Sequence, residues 1–389
     1  MRIFYFLTFI IVQALVFNQK AISRNIPEII EVGIFSGENI KRFSFTPATG
    51  RYLICNTQHE KLLEVKPLNT IVFEITAQGF DIYRNDSLLF SENEITLQGA
   101  AFHNSFFLKP LDKNLNMRAY DGDLRIRNGN AAFSLVNIVP FESYVAGTVQ
   151  WESGFNRHNV FYQVQAIIIR TYALQNLNRH SEEGFHLCDR VHCQAYYGKT
   201  NDVNIISAVD ISRGEVVTDV HGRLLNTVYH ANCGGQTVNS EDLWTHALSY
   251  LRSDKDTFCR HMPGASWEAR IPVQDFRQFL HRNYSIKPSD QEWKHITGFR
   301  QNSRKHHLDE EESIRLRHVR EHFALRSTYF SIEEQNDTLL LSGKGYGHGV
   351  GLCQEGAMQR ALHGHSREKI LQFYYKGAMI RFLEPEIIF

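Results

Sequence analysis

The chain has 389 residues, with 42 Lys+Arg against 42 Asp+Glu and hydrophobic, aromatic and charged fractions of 43%, 12% and 22%. That length suits two or three domains, or one large core with additions, and the balance is that of a globular protein. Zero net charge excludes a nucleic-acid binder that works by bulk charge, and 9 Pro with 25 Gly exclude a low-complexity linker.

Arg2 is followed by an apolar run from Ile3 to Phe17, interrupted by Thr8 and Gln13, and then by the small-x-small triplet Ala21-Ile22-Ser23. This is the layout of a secretory signal over residues 1–23, with cleavage after Ser23. The run falls short of the ~20 apolar residues of a spanning helix. No Cys follows closely enough for a lipid anchor, and nothing later approaches spanning length. The expectation is an exported chain with no transmembrane segment in its mature part. Export sends Cys55, Cys188, Cys193, Cys233, Cys259 and Cys353 into an oxidising compartment where disulfides are open to them, and sequence does not choose among the pairings.

From 27 to 132 the chain reads as β structure. Ile29 to Phe35 and Tyr52 to Cys55 are short apolar runs, and Thr70 to Thr76 alternates. Leu124 to Arg127, Asn128-Gly129-Asn130 and Ala131 to Val136 read as a hairpin with a Gly-containing turn. Pro140 opens a helix in which Val145, Thr148, Val149 and Glu152 fall on one face, and Gly154 ends it. A second helix is predicted over about Val160 to Leu177. Residues Val203 to His230 look β-like, Val273 to Asn283 helical, and His306 to Glu312 a solvated loop. Gly343 to Gly351 reads as a strand with Lys344, Tyr346, His348 and Val350 on one side, followed by a helix over about Gln354 to His363 and a short one opened by Ser366. The class is α+β: a β-rich N-terminal region, 27–132, and a mixed α+β core, 133–387.

Two constellations carry chemistry. Glu152 sits on an apolar stripe at a helix C-terminus, where desolvation and the helix dipole both raise a carboxyl pKa toward that of a general acid; a Glu that snorkels or pairs with an Arg is the plainer reading. Arg170, on the second helix, could pair with Glu152, bind a substrate anion or lock the fold. The second constellation is Cys188-x3-His192-Cys193, with His186 two residues before Cys188. It reads either as a zinc site or as a Cys188–Cys193 disulfide. For His348 the choice is between a sugar contact and a satisfied core histidine.

The motifs Glu142 to Gly147 with Glu152, Gln163 to Ala166 through Arg170 to Leu174, Cys188 to Tyr196, Cys233 to Thr237 with Trp244, and Gly343 to Ala357 together resemble the stage II sporulation protein D / amidase-enhancer family, in family order. The resemblance implies an exported, periplasmic or cell-wall-associated peptidoglycan lytic transglycosylase. Such an enzyme cuts the N-acetylmuramic acid to N-acetylglucosamine bond of peptide-stripped glycan strands and leaves 1,6-anhydro ends. It places the catalytic acid at Glu152 and substrate contacts at Arg170, Tyr172, Gln194, Gly234, Gly235, Gln236, Tyr346, His348 and Gln354. It implies one zinc ion on Cys188, Cys193 and His192 or His186, holding the loop that frames the cleft. The chain departs from the family in reading Glu152-Ser153-Gly154 where Glu-Met-Pro is frequent, and in having Cys233 and Cys353 where many members have Ser. Two other functions stay open: a non-catalytic wall-binding enhancer of an N-acetylmuramoyl-L-alanine amidase, and a glycan hydrolase with Asp189, Glu241 or Asp242 as the second carboxylate. A Cys233–Cys259 disulfide is a further expectation.

Overall fold

The computed structural model describes residues 25–386 apart from 130, 245, 310 and 312, so the expected signal segment 1–23 lies outside the described residues. Alternating apolar residues build two largely antiparallel sheets. The first has seven strands, in the order Leu187–Cys188, Ile29–Ile34, Phe133–Pro140, Asp123–Asn128, Glu94–Gly99, Tyr52–Cys55, Lys61–Val65. The second has six, in the order Arg118–Asp121, Ser105–Pro110, Arg42–Thr49, Ile71–Ile75, Phe80–Arg84, Ser87–Glu92. Their inner faces meet through aromatic side chains: Phe43 packs edge-on to Phe133 with centroids 4.9 Å apart, and Phe45 to Tyr52 at 5.1 Å.

The short apolar runs read from the sequence all form strands, and the hairpin pairs Ile126 with Leu135 and closes with a Gly129 N–H to Ala132 carbonyl bond of 2.9 Å. The expected boundary at 132/133 falls inside this hairpin. Phe133–Pro140 is an internal strand, so the sheet continues across that position.

Pro140 ends its strand and starts α1 (Phe141–Ser153), which Gly154 closes at φ 71°. The second helix, α2 (Asn159–Gln175), is buried from Phe161 through Leu174. Within it Arg170 is wholly buried and grips Glu142 of α1 with two bonds, Nη2 to Oε2 at 2.6 Å and Nε to Oε1 at 2.9 Å, while Nη1 donates to the Glu215 carbonyl at 2.9 Å. Of the three roles open to Arg170, the structure displays the fold-locking one. Its partner is Glu142 and not Glu152.

Two stretches depart from their sequence reading. The first half of Val203 to His230 is a helix, α3 (Val203–Ile211), and not a strand. Its β-branched residues suggested β structure, but Asp202 caps the Asn204 and Ile205 N–H groups, and Ile205, Ala208 and Val209 present one buried stripe. The glycine run is not a strand beyond Lys344. Gly345, Gly347, Gly349 and Gly351 have φ of 80°, 107°, 85° and 72°, which breaks the period-2 alternation and separates Tyr346 from His348.

Residues 267–341 build a second core. The three-stranded sheet Ser266–Pro272, Thr338–Lys344, Phe330–Gln335 packs Trp267, Ile332 and Leu341 against α4 (Val273–Tyr284), α5 (Asp290–Thr297) and α6 (Leu316–His322). Helices α7 (Gln354–Leu362) and α8 (Arg367–Tyr374) return to the main core. Among the described residues no helix is long and apolar enough to cross a membrane.

Truncating one member of a buried, bidentate ion pair leaves the other charge uncompensated, typically a loss of about 3–5 kcal/mol. Arg170→Ala is therefore expected to lower the urea midpoint strongly. Arg170→Met combined with Glu142→Met is expected to cost clearly less than the sum of the two single changes.

Candidate active site

Glu152 occupies the last turn of α1, beside a cleft of about 230 Å³ lined also by Ser153, Arg157, Phe161, Ala231, Met262, Pro263, Gln354, Glu355 and Met358. Its carboxyl accepts the Ala195 N–H at 2.6 Å and lies beside the Tyr229 hydroxyl, and its backbone carbonyl accepts the Gln354 side-chain amide at 3.0 Å. Burial raises its pKa above the usual 4.5 and outweighs those donors, which favour the ionised form. Burial and the neighbouring Glu152 charge likewise push the Tyr229 hydroxyl well above its ordinary value.

The Ala195 N–H is delivered by a loop that crosses α1 at close range. At Gly147 a Cβ would stand 2.4 Å from the Gly198 carbonyl and 2.7 Å from the Tyr196 ring, so only glycine admits the crossing. The loop is tied down at its start by Asp189, which accepts the Phe35 and Ser36 N–H groups at 2.7 and 3.1 Å and pairs with Arg118 at 2.8 Å. Asp189 is thus a buried structural carboxylate remote from the cleft lining.

The same loop carries a four-donor cluster. One ligand atom each from His180, Cys188, His192 and Cys193 lies within 4.8 Å of the others. Cys193 Sγ is 3.3 Å from His180 Nε2, and His192 Nδ1 is 3.7 Å from both sulfurs. His186 is not part of it: its Nδ1 accepts the Glu31 N–H at 3.0 Å on the sheet edge. The fourth donor is His180, which sequence reading missed because it lies eight residues before Cys188, outside any compact motif. The 3₁₀ turn Ser181–Glu183 brings it back, and Glu183 hydrogen-bonds its Nδ1 at 2.5 Å, as carboxylates do behind metal-bound imidazoles. Two sulfurs and two imidazoles form a closed tetrahedral zinc set, so the donors fit such an ion.

The other expected contacts divide among different places. Gln354 joins Glu152 in the cleft. Tyr172 is buried, with its hydroxyl accepting from Arg179 at 2.8 Å, and burial lifts its pKa to about 12. Gln194 is buried and accepts the Tyr144 hydroxyl at 3.0 Å. Gly234, Gly235 and Gln236 line a cleft of about 580 Å³ with Lys255, Arg260 and Tyr329. His348 lines a third, of about 710 Å³, with Glu241, Asp242 and Trp244. Its Nδ1 accepts the Val350 N–H at 3.1 Å and its Nε2–H meets the Tyr229 carbonyl at 2.9 Å, while burial lowers its pKa to about 4. It is a satisfied neutral histidine that steadies the strand bearing Tyr229. Tyr346 is half-exposed under the Arg326 guanidinium. A carboxylate that the sequence reading passed over does face Glu152's cleft: Glu355, held by the Asn232 amide at 2.5 Å and the Gly264 N–H at 3.2 Å. Its position as the second residue of α7 gave it the look of an ordinary first-turn acid.

Comparison with known proteins bears on this geometry. Residues 129–218, which contain α1, α2 and the four-donor cluster, match the family model "Stage II sporulation protein". An uncharacterized protein of Brachyspira hyodysenteriae is 26% identical over 356 residues, covering 89% of this chain and 94% of the relative. The stage II sporulation protein D of Bacillus subtilis is 26% identical over 265 residues, covering 63% of this chain and 75% of the relative. The amidase enhancer of the same organism is 24% identical over 270 residues, covering 56% of this chain and 37% of the longer relative. The family read from the order of the motifs is the one these matches support, and residues 129–218 are the part of the chain similar to its model.

Proposed function

We propose that this chain is an exported peptidoglycan lytic transglycosylase that uses Glu152 as acid and then base. The observation that carries the reading is a carboxyl whose pKa burial has raised, fixed by one backbone N–H and one tyrosine hydroxyl at the mouth of a cleft. Protonated Glu152 gives its proton to the glycosidic oxygen as the bond from C1 of N-acetylmuramic acid breaks through an oxocarbenium-like state. The leaving sugar departs as an alcohol. The C6 hydroxyl of the same muramic acid then attacks C1, and its proton returns to the Glu152 carboxylate. No water is consumed, and the intramolecular nucleophile arrives already oriented. Ala195 N–H and Tyr229 OH hold the carboxyl in place in both protonation states. Glycan strands are the substrate, and a cell-wall amidase is a partner suggested by the amidase-enhancer relative.

A zinc ion on His180, Cys188, His192 and Cys193 would have all its positions filled by the protein and so would supply rigidity to the Ala195 loop, not Lewis acidity. A second reading, glycan hydrolysis, draws on one observation: Glu355 shares the cleft and could activate a water.

Because burial raises Glu152's pKa above its unfolded value near 4.5, the protonated carboxyl favours the fold. That contribution is complete below the unfolded value and lost as pH rises through the folded one. Activity is expected to fall along the same alkaline limb. Glu152→Gln keeps an acceptor for Ala195 and removes the desolvated charge. It should reduce strand cleavage by about 10²–10⁴-fold while leaving the pH 7 melting temperature equal or higher. A lower melting temperature with cleavage intact would contradict both assignments.

Mass spectrometry of peptide-stripped glycan incubated with the full chain is expected to find 1,6-anhydro ends that vanish in Glu152→Gln. Reducing ends abolished by Glu355→Gln would instead establish hydrolysis. Binding without cleavage, with an amidase stimulated, would establish the non-catalytic enhancer.

A further inference from the structure

A second cluster of soft donors lies apart from the first, where Cys233, Asp256, Cys259 and Cys353 bring one ligand atom each within 4.8 Å of one another, all in fully buried residues. We propose that these four residues hold a second zinc-class metal ion, one that clamps the wall of the Glu152 cleft not built by α1 and α2. The inference rests on the donors themselves and does not depend on the glycan chemistry.

The spacing is the first argument. Cys233 Sγ and Cys259 Sγ stand 3.3 Å apart. A tetrahedral zinc with Zn–S near 2.3 Å sets its sulfurs about 3.8 Å apart, whereas a disulfide bond is about 2.05 Å. The geometry lies nearer the metal arrangement, and a third sulfur is present that a disulfide would leave over. That sulfur, Cys353 Sγ, caps α7: it accepts the Cys233 N–H at 3.3 Å and the Gly356 N–H at 3.4 Å. Both N–H groups point at the sulfur, an arrangement that a metal-bound cysteine would keep.

Asp256 is oriented for the fourth position. Its Oδ2 accepts the Tyr374 hydroxyl at 2.6 Å and lies 3.8 Å from Cys233 Sγ, while Oδ1 takes Arg360 and the Phe258 N–H, both at 3.2 Å. Gly356 makes room for this carboxylate, since a Cβ there would lie 2.2 Å from Oδ2.

Charge supplies the second argument. Three thiolates and a carboxylate buried together carry four negative charges, a prohibitive burden in an apolar interior without compensation. One divalent cation, the buried Arg360 guanidinium on Asp256, and Arg304, whose Nη2 donates to the Cys233 carbonyl at 2.6 Å, balance the set to zero. Sulfur donors in the majority select zinc over the hard cations magnesium and calcium.

The consequence follows from what flanks each ligand. Ala231 precedes Cys233 by two residues, Met262 and Pro263 follow Cys259, and Gln354 and Glu355 come directly after Cys353; all of them line the Glu152 cleft. The cleft is therefore framed by two soft-donor clusters. One fixes the loop that holds the acid, and the other fixes the facing wall.

The test is metal and thiol counting on the full chain purified without chelator. Elemental analysis is expected to find about two zinc ions per chain, falling to about one in Cys353→Ser or Cys233→Ser, about one in Cys188→Ser/Cys193→Ser, and staying near two in Cys55→Ser. Thiol titration of the chelated, denatured, unreduced protein is expected to count all six cysteines as free. Should Cys233→Ser fail to fold, cobalt(II) substitution of the unaltered chain reads both sites through thiolate charge-transfer absorption, which Cys188→Ser/Cys193→Ser should leave more than half intact. Zinc content unchanged by Cys353→Ser and Cys233→Ser, or a disulfide that peptide mapping of the unreduced chain assigns to Cys233, Cys259 or Cys353, overturns the proposal. A single zinc lost only in the Cys188/Cys193 variant overturns it as well.

Discussion

A single backbone N–H, that of Ala195, meets the Glu152 carboxyl at 2.6 Å, and much of the architecture serves to bring it there. The loop that carries it starts as a short parallel strand, Leu187–Cys188, laid on the edge of the seven-stranded sheet beside Ile29–Ile34. Asp189 then ties it to the turn after that strand, and Tyr196 ends it with a hydroxyl bond of 2.9 Å to Asn137, in the strand that leads into α1. The loop is thus fastened at both ends to the β scaffold, while Glu152 is fastened to the helix growing out of that scaffold. Carboxyl and donor are both held by the same β scaffold, which is the condition under which a hydrogen bond can orient a side chain rather than follow it.

The electrostatics are arranged around the same contact. Burial pushes the Glu152 proton on, and two donors pull toward ionisation; the net shift is upward. Too many donors would give a permanent carboxylate and too few a floppy acid. The neighbouring titratable groups stay out of the competition: His348 is kept neutral by burial and spends both ring nitrogens on the backbone around Tyr229. Arg170, the strongest buried cation nearby in sequence, is fully occupied by Glu142. Had it reached Glu152, it would have lowered the carboxyl pKa and removed the acid.

Reading the sequence worked where the signal is local and periodic. The strands Ile29–Ile34, Tyr52–Cys55 and Ile71–Ile75, the hairpin around Gly129, both long helices and α7 follow from alternation, helical spacing and caps. It failed where a local preference lost to a cap or to backbone geometry. The β-branched residues of α3 were overruled by Asp202 and a buried stripe, and the glycine run was read as a strand although its glycines adopt positive φ. The boundary at 132/133 divided a hairpin because the change in texture at Pro140 marks where helices begin, not where a core ends.

For the site, the sequence by itself displayed Glu152 at the end of its apolar helix stripe, the Cys188–His192–Cys193 cluster and the resemblance to a family, because each is written in neighbouring residues. Only tertiary structure decided the partners. His180 replaces His186 because a 3₁₀ turn folds it back. Glu355 faces Glu152 across some two hundred positions of chain because the Tyr229–His230 and Leu352–Cys353 strands pair. Cys233, Cys259 and Cys353 converge from two turns and the end of the strand Leu352–Cys353. Donor sets assembled from distant segments leave no spacing to read, since their proximity is a property of sheet pairing and helix packing, and those are fixed only when the whole core closes.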